Sequence, residues 1–338
     1  MTTVFHMVVE TPRIKMKTAV LAITSGGRQL AQRISAGLKD SQTLLCEEGI
    51  ARTVRESWKE YEGFIFVMAA GVVVRSIAPL LENKRTDPCV VVCDESGQFV
   101  ISMLSGHLGG GNALAEEVAK VVGGQAVITT ASDILGHTAV DMWARDNALV
   151  AENHTVLTTL SSLLVNSGRL RILSDIKLGD LPPDFVQVDE SCNADLIVSA
   201  STGWHGISAQ FLRPLTLTAG IGCNRGTSSR QIQEALLETL TKHALSFFSI
   251  NTLASIDLKA DEQGLLEFAE TKNLPIQFYS SNELNKVAGL KRSQIVYQST
   301  GAYGVSEPAA ILASGGGSLI VEKTKWSDVT VAIAEKKL

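Results

Sequence analysis

The stretch CVVVCDESGQFVISMLSGHLGGGNALAEEVAKVV, residues 89–122, carries the pattern that decides the fold. Val90–Cys93 is a short β-branched run, Asp94-Glu95-Ser96-Gly97 is a tight turn containing glycine, and Phe99–Ser102 is a second apolar run, so the three read as a β-hairpin. Ser105-Gly106-His107-Leu108-Gly109-Gly110-Gly111-Asn112 follows as a Gly-rich loop that opens directly into a helix, Ala113–Val121, and Ala126–Thr130 is the next strand. Working upstream, Thr18–Thr24 and Gly63–Met68 are β-branched and aromatic runs that alternate with amphipathic, helix-length stretches at Arg28–Leu38 and Val72–Leu81. Strand and helix taking turns in this way predict a mainly parallel sheet covered by helices.

A second alternating series begins with strand Leu215–Gly220, the turn Gly222–Thr227 and a helix from Ser229 to His243 with Ser228 as its cap. Strands Leu253–Asp257 and Ile276–Tyr279 alternate with helices Glu262–Thr271 and Ser281–Val287, and Ser306-Glu307-Pro308 opens a helix to Ala313. Ser318–Glu322 and Asp328–Ile333 close the chain as strands. Residues 145–213 have weaker periodicity, with Pro182-Pro183 and a polar Asp189-Glu190-Ser191 stretch. The expected fold class is therefore α/β: two α/β domains with mainly parallel strand-helix alternation, residues 1–144 and 214–338, joined by a small connecting module at 145–213.

The 338 residues suit two domains. With 45% hydrophobic and 19% charged residues, and 28 Gly against 8 Pro, the composition is that of a folded chain with many tight turns. The longest apolar runs, around Phe64–Ala70 and Cys89–Cys93, are far shorter than the roughly 20 residues a membrane helix needs. The first sixteen residues lack an apolar core and a small-residue cleavage site, so a soluble, cytoplasmic protein without a membrane role is expected. Cys46, Cys89, Cys93, Cys192 and Cys223 are odd in number and contain no CxxC pair, which argues against a disulfide framework and a zinc ribbon. A net charge of -5 gives no global attraction for nucleic acid, so an anionic ligand must be held by a local cluster.

Three consecutive glycines let backbone approach a ligand closely, and their N–H groups with the following helix start make a cradle for a carboxylate or oxyanion. His107 stands at the mouth of that cradle as a general acid or base, with Ser105 to orient it or a water; the alternative is a Gly-rich turn in which His107 satisfies a backbone carbonyl. Arg75, Lys84 and Arg85 are cations near strand ends, Arg75 and Lys84 being the stronger candidates for binding carboxylates. Ile128-Thr129-Thr130-Ala131-Ser132-Asp133 is a hydroxyl-rich strand exit, read locally as turn and cap formers. In Gly220–Thr227, Arg225 adds charge at a helix start, and Cys223 is a nucleophile or, more simply, a buried thiol. Lys259 and Glu262 meet at another strand-to-helix junction, and Glu307 lies in the first turn of its own helix. The histidines show no ligand-like spacing, so no metal site is expected.

Met68–Arg75, Ala78-Pro79, Lys84, Asp87-Pro88, Asp94–Gly97, Ser105–Asn112 and Ile128–Asp133, in this order and spacing, resemble the N-terminal domain of the CbiG family of anaerobic cobalamin biosynthesis. Gly220–Thr227, Ser255–Lys259, Glu262 and Gly304–Ala310 are similar to its C-terminal domain, which also occurs as a free-standing protein in the aerobic pathway. Gly111 stands where Ala is usual, Ser132 where Thr is usual, Asn224 where a basic residue is common, and Ser306 where Cys is often found; the last removes a thiol nucleophile at that position. The resemblance implies hydrolysis of cobalt-precorrin-5A: opening of its δ-lactone and loss of the bridging carbon with its methyl as acetaldehyde, giving cobalt-precorrin-5B.

On that reading His107, Ser105 and Glu307 are the catalytic candidates, His107 as general base or, less favoured, as a ligand to the substrate's cobalt. Backbone N–H groups of Gly109, Gly110, Gly111 and Asn112 hold the oxyanion, while Arg75, Lys84, Gly106, Thr129, Thr130, Asp133, Gly222, Arg225, Thr227 and Lys259 bind the substrate. The substrate is a small-molecule cobalt tetrapyrrole that brings its own cobalt, so no added cofactor is expected, and transient contact with neighbouring pathway enzymes would hand intermediates on. A non-catalytic carrier of such an intermediate is the rival reading, since it keeps the glycines and cations but needs no general base.

Overall fold

The computed structural model describes residues 16–83 and 86–336; Lys84, Arg85 and the N-terminal stretch read above for a leader fall outside the described residues. The chain divides into two compact units, the first ending at Met142 and the second beginning at Trp143. In the first, β1 (Thr18–Ala22), α1 (Ser25–Gly37), β2 (Ser41–Leu44), α2 (Ile50–Ser57), β3 (Gly63–Val67), α3 (Ala70–Ile77), β4 (Cys89–Cys93), β5 (Phe99–Leu104), α4 (Gly111–Val122), β6 (Gln125–Val127), α5 (Ala131–Leu135) and the start of α6 (Val140–Asp146) follow one another. Among the described residues the strands form one six-stranded sheet in the order β2-β1-β3-β4-β5-β6.

β1, β3 and β4 read as unbroken apolar runs because both their faces are covered. Val20, Ile65 and Val91 pack with Leu30, Ile34 and Leu114 on one side, and Leu21, Phe64 and Phe66 pack with Val54, Trp58 and Val73 on the other. The β4–β5 turn forms because the Asp94 carboxylate accepts from the Ser96 N–H at 3.0 Å and the Phe99 N–H at 2.5 Å, while Gly97 takes φ +75°. This hairpin sets the geometry that matters. β5 runs against β4, and β6 runs with β5, so the segments after β5 and β6 emerge together at the rim where β3 and β4 begin.

The second unit continues with β7 (Leu149–Ala151), α7 (His154–Ser167), β8 (Leu170–Ser174), β9 (Phe185–Gln187), β10 (Leu196–Val198) and β11 (Gln210–Pro214). These strands make a five-stranded sheet, β7-β11-β10-β8-β9, in which β7 alone is antiparallel. The stretch with weak periodicity thus holds a sheet of its own, built from strands of three to five residues too short to show an alternating pattern. Arg213, 4% exposed, ties its rim together by donating to Glu152 at 2.7 Å and to the carbonyls of Ser199 and Ser201 at 2.9 and 2.6 Å.

Then come β12 (Leu217–Cys223), α8 (Ser229–Lys242), β13 (Ile250–Ile256), α9 (Gln263–Thr271), β14 (Ile276–Tyr279), α10 (Ser281–Asn285), α11 (Gln294–Thr300), α12 (Ser306–Ala313), β15 (Ser318–Lys325) and β16 (Val329–Glu335). Their sheet runs β14-β13-β12-β16-β15, with β12, β13 and β14 parallel and the closing pair an antiparallel hairpin. Ser228 caps α8 in a capping box with Gln231. Gly220 lets α12 lie directly on β12: a Cβ there would overlap the Ser306 carbonyl and stand 2.8 Å from the Ala310 nitrogen. Among the described residues no helix is long and apolar enough to cross a membrane.

Candidate active site

Because β5 and β6 end at the same rim, the Gly-rich loop meets the start of α5. His107 Nε2 lies 2.9 Å from Asp133 Oδ2, and the ring's other nitrogen, Nδ1, lies 3.6 Å from Asp141 Oδ1 on α6. Asn112 donates its side-chain amide to the same Asp133 oxygen at 2.9 Å and accepts from the Ser102 hydroxyl at 2.7 Å. The Ser132 hydroxyl is 3.5 Å from Nε2. Ser102, Asn112, Asp133 and His107 therefore form one hydrogen-bonded line that fixes the imidazole. An ionised carboxylate only accepts, so the contact with Asp133 puts a hydrogen on Nε2, and Nδ1, facing Asp141 at the longer distance, is the nitrogen left for proton exchange. With the His107 side chain 19% exposed and Asp133 37% exposed, the pair sits at a surface where water and substrate have access.

The glycines serve the loop's own closure. The N–H groups of Gly110, Gly111 and Asn112 donate to the carbonyls of His107, Ser105 and Gly106 at 2.9, 3.0 and 2.9 Å. They are spent, which corrects the expectation that they face an oxyanion; Gly109 is the member of that set with no such bond inside the loop. A Cβ at Gly106 would meet Asn112 Oδ1 at 2.5 Å, one at Gly109 would meet Ser105 Cβ at 2.5 Å, and one at Gly111 would meet the Leu104 carbonyl oxygen at 2.7 Å. Close packing of the loop on itself is what requires glycine there. Ser105 adopts φ 54° and donates to the Asp87 carbonyl at 3.3 Å, tying the loop to the segment before β4.

Arg75 belongs to the other rim. α3 starts where β3 ends, and the Arg75 guanidinium turns back to the Gly71 carbonyl at 3.1 Å, whereas the His107 loop opens where β3 begins. The expectation that strand-following residues share one rim fails because the hairpin reverses the chain. Thr130 is the residue before α5 and makes no side-chain cap bond, and Thr129 is exposed beside it. Leu108 and Gly109 border a cavity of about 650 Å³ whose described lining also includes Lys59, Glu60, Glu62, Glu82 and Asp87.

In the second unit, Gly222, Arg225 and Lys259 line a cavity of about 580 Å³ at the ends of β12 and β13. Two of its cations are already neutralised. Arg225 bonds Asp261 at 2.5 Å and the Leu258 carbonyl at 2.9 Å, and Lys259 bonds Glu262 at 3.0 Å. Burial pushes the Glu262 carboxyl up, but Lys259, the Gly226 N–H and Arg225 outweigh it, so Glu262 titrates below the usual carboxylate value. Thr227 is buried and donates to the Asn224 carbonyl at 2.9 Å, closing the turn. Burial raises the Cys223 thiol more than Lys259 lowers it, which fits a packed thiol and not a nucleophile.

Glu307 is 8% exposed and accepts from the Lys323 N–H at 3.2 Å, pinning α12 to β15; it borders a separate, smaller cavity of about 150 Å³. Among the described residues no cluster of metal-ligating side chains is present. Sequence reasoning missed Asp141, Ser102 and the side-chain role of Asn112, and in the second cavity it missed Lys323, Lys325 and Trp326. Nothing in the sequence marks Asp141. The lysines lie in the last three residues of β15, which continues past Glu322 to Lys325.

Residues 52–133 match the family described as Cobalamin synthesis G N-terminal, and residues 217–334 match Cobalamin synthesis G C-terminus. The chain is 34% identical over 354 residues to a protein of Priestia megaterium named cobalt-precorrin-5A hydrolase, covering 94% of each. It is 32% identical over 339 residues to one of the same name from Salmonella typhimurium, covering 93% of this chain and 96% of that one. A shorter alignment, 31% identical over 121 residues, covers 35% of this chain and 79% of Protein CobE from a Sinorhizobium species. With both family domains matched and near full-length identity above three in ten, the chain belongs to the CbiG family.

Proposed function

We propose that this protein is the cobalt-precorrin-5A hydrolase of cobalamin biosynthesis, opening the δ-lactone and releasing acetaldehyde to give cobalt-precorrin-5B. The observation that carries the proposal is the near full-length identity to two relatives bearing that name, across both family domains. The substrate is a small-molecule cobalt tetrapyrrole. One water is consumed overall: it adds to the lactone carbonyl, and the ring oxygen leaves as the alcohol of the bridging carbon. Loss of that alcohol's proton then drives cleavage of the bond to the macrocycle. The bridging carbon departs with its methyl as acetaldehyde, and the electron pair left on the macrocycle takes up a proton.

In this reading His107 Nδ1 takes the proton from the attacking water and returns it later, with Asp133 holding Nε2–H and stabilising the imidazolium that forms. Asp133 thereby becomes a positioning residue in place of a substrate ligand. Cobalt ligation by His107 is the weaker alternative; it would use the same Nδ1 lone pair, so the two roles exclude each other. The reaction calls for no oxidant or reductant, so no added cofactor is invoked, and cobalt enters within the substrate. Purified protein incubated with cobalt-precorrin-5A should release acetaldehyde catalytically. Tight binding without acetaldehyde would establish the carrier reading instead.

A further inference from the structure

The second unit's cavity carries two cations with no ion-pair partner among the described residues, and its one carboxylate besides, Asp328, accepts from Asn224 and Ser327. Lys323 and Lys325 line it together with Arg225 and Lys259, yet among the described residues only the latter two are ion-paired, to Asp261 and to Glu262. Both free lysines come from β15, the edge strand of its sheet, two positions apart. β15 is irregular between Val321 and Thr324, so strict alternation does not hold there, and it is the cavity lining itself that brings both lysines to one site. Two of the neighbouring hydroxyls, Ser299 and Thr300, donate to α11 carbonyls at 3.0 and 2.7 Å. Leu258, Val296, Val305 and Trp326 add apolar surface to the same cavity, and the Trp326 indole is anchored by its N–H to Thr239 at 3.0 Å.

We infer that Lys323 and Lys325 bind two adjacent peripheral carboxylates of the cobalt tetrapyrrole, with one edge of the macrocycle against the apolar wall. The identification of the ligand rests on the function proposed above; the site itself rests on the unpaired lysines and the cavity. It replaces Arg225 and Lys259 as the carboxylate contacts, because those two already hold Asp261 and Glu262 and keep the turn before α8 in place. Lysines on an edge strand also discourage strand addition by another chain. That role alone would make no difference to ligand binding.

The test is titration of the full chain with a stable cobalt corrinoid bearing free carboxylates, and with its fully amidated counterpart, read by quenching of tryptophan fluorescence. The acid form should bind and the amidated form should bind at least tenfold more weakly, with affinity falling as salt is raised. K323Q/K325Q should raise Kd for the acid form about tenfold, consistent with two partly exposed charge-assisted bonds. It should raise KM for cobalt-precorrin-5A similarly and leave kcat within twofold. Lys291→Gln, which removes the same charge outside this cavity, should change neither. Unchanged binding in the double variant, or an equal loss in Lys291→Gln, would overturn the inference even if acetaldehyde is released normally. Lysine-dependent binding with no acetaldehyde release from the unmodified protein would uphold the site and refute the hydrolase.

Discussion

Asp133→Asn is the most discriminating perturbation of the His107 site. The substitution keeps the shape of the side chain, and its amide oxygen can still accept from Asn112, whose other end is held by Ser102. What is lost is the charge 2.9 Å from His107 Nε2, which both fixes the hydrogen on that nitrogen and stabilises the imidazolium formed when Nδ1 takes a proton. A hydrogen bond to a charged partner contributes about 1.5–3 kcal/mol. Since Asp133 is 37% exposed, solvent screening places the loss in the lower part of that range. At 1.36 kcal/mol per factor of ten, kcat should fall roughly 10- to 40-fold. Steady-state acetaldehyde release, followed by its reduction with an NADH-linked alcohol dehydrogenase, measures this directly, and KM should stay within twofold. A kcat close to that of the unmodified protein with a raised KM would refute the positioning role and make Asp133 a substrate contact.

Glu262→Gln should lower Tm at neutral pH and flatten its decline on the acid side. The folded carboxyl titrates below its ordinary 4.5, so its stabilisation is fully present above that pH and is lost as the pH falls toward the folded value. Parallel Tm curves between pH 3 and 6 for the two proteins would contradict this. Gly220→Ala should cost about 1–3 kcal/mol in denaturant unfolding, because the new methyl is driven into the backbone of α12; a loss under 0.5 kcal/mol would mean that α12 yields easily.

Much of the fold was legible because β1, β3 and β4 are apolar without interruption and the Asp94–Gly97 turn is chemically explicit. The sheet at 149–214 was not, since three-residue strands such as β7, β9 and β10 carry no period. For the site, glycine spacing pointed to the right loop but for the wrong reason. Gly106, Gly109 and Gly111 answer to contacts with Asn112, Ser105 and Leu104, which are tertiary and invisible in a local motif. Arg75 and His107 both follow strands, yet a single antiparallel strand puts them on opposite rims, which no local pattern around either residue shows. Arg225 and Lys259 were identified as cations, but the sequence could not show that Asp261 and Glu262 consume them.

The central claim is that a His107-centred site performs the hydrolysis, and single turnover with protein in excess over cobalt-precorrin-5A tests it most directly. The unmodified protein should yield one acetaldehyde per substrate, and His107→Ala should form it at least a hundredfold more slowly while still binding the substrate. Acetaldehyde formed by His107→Ala at the unmodified rate would contradict the account.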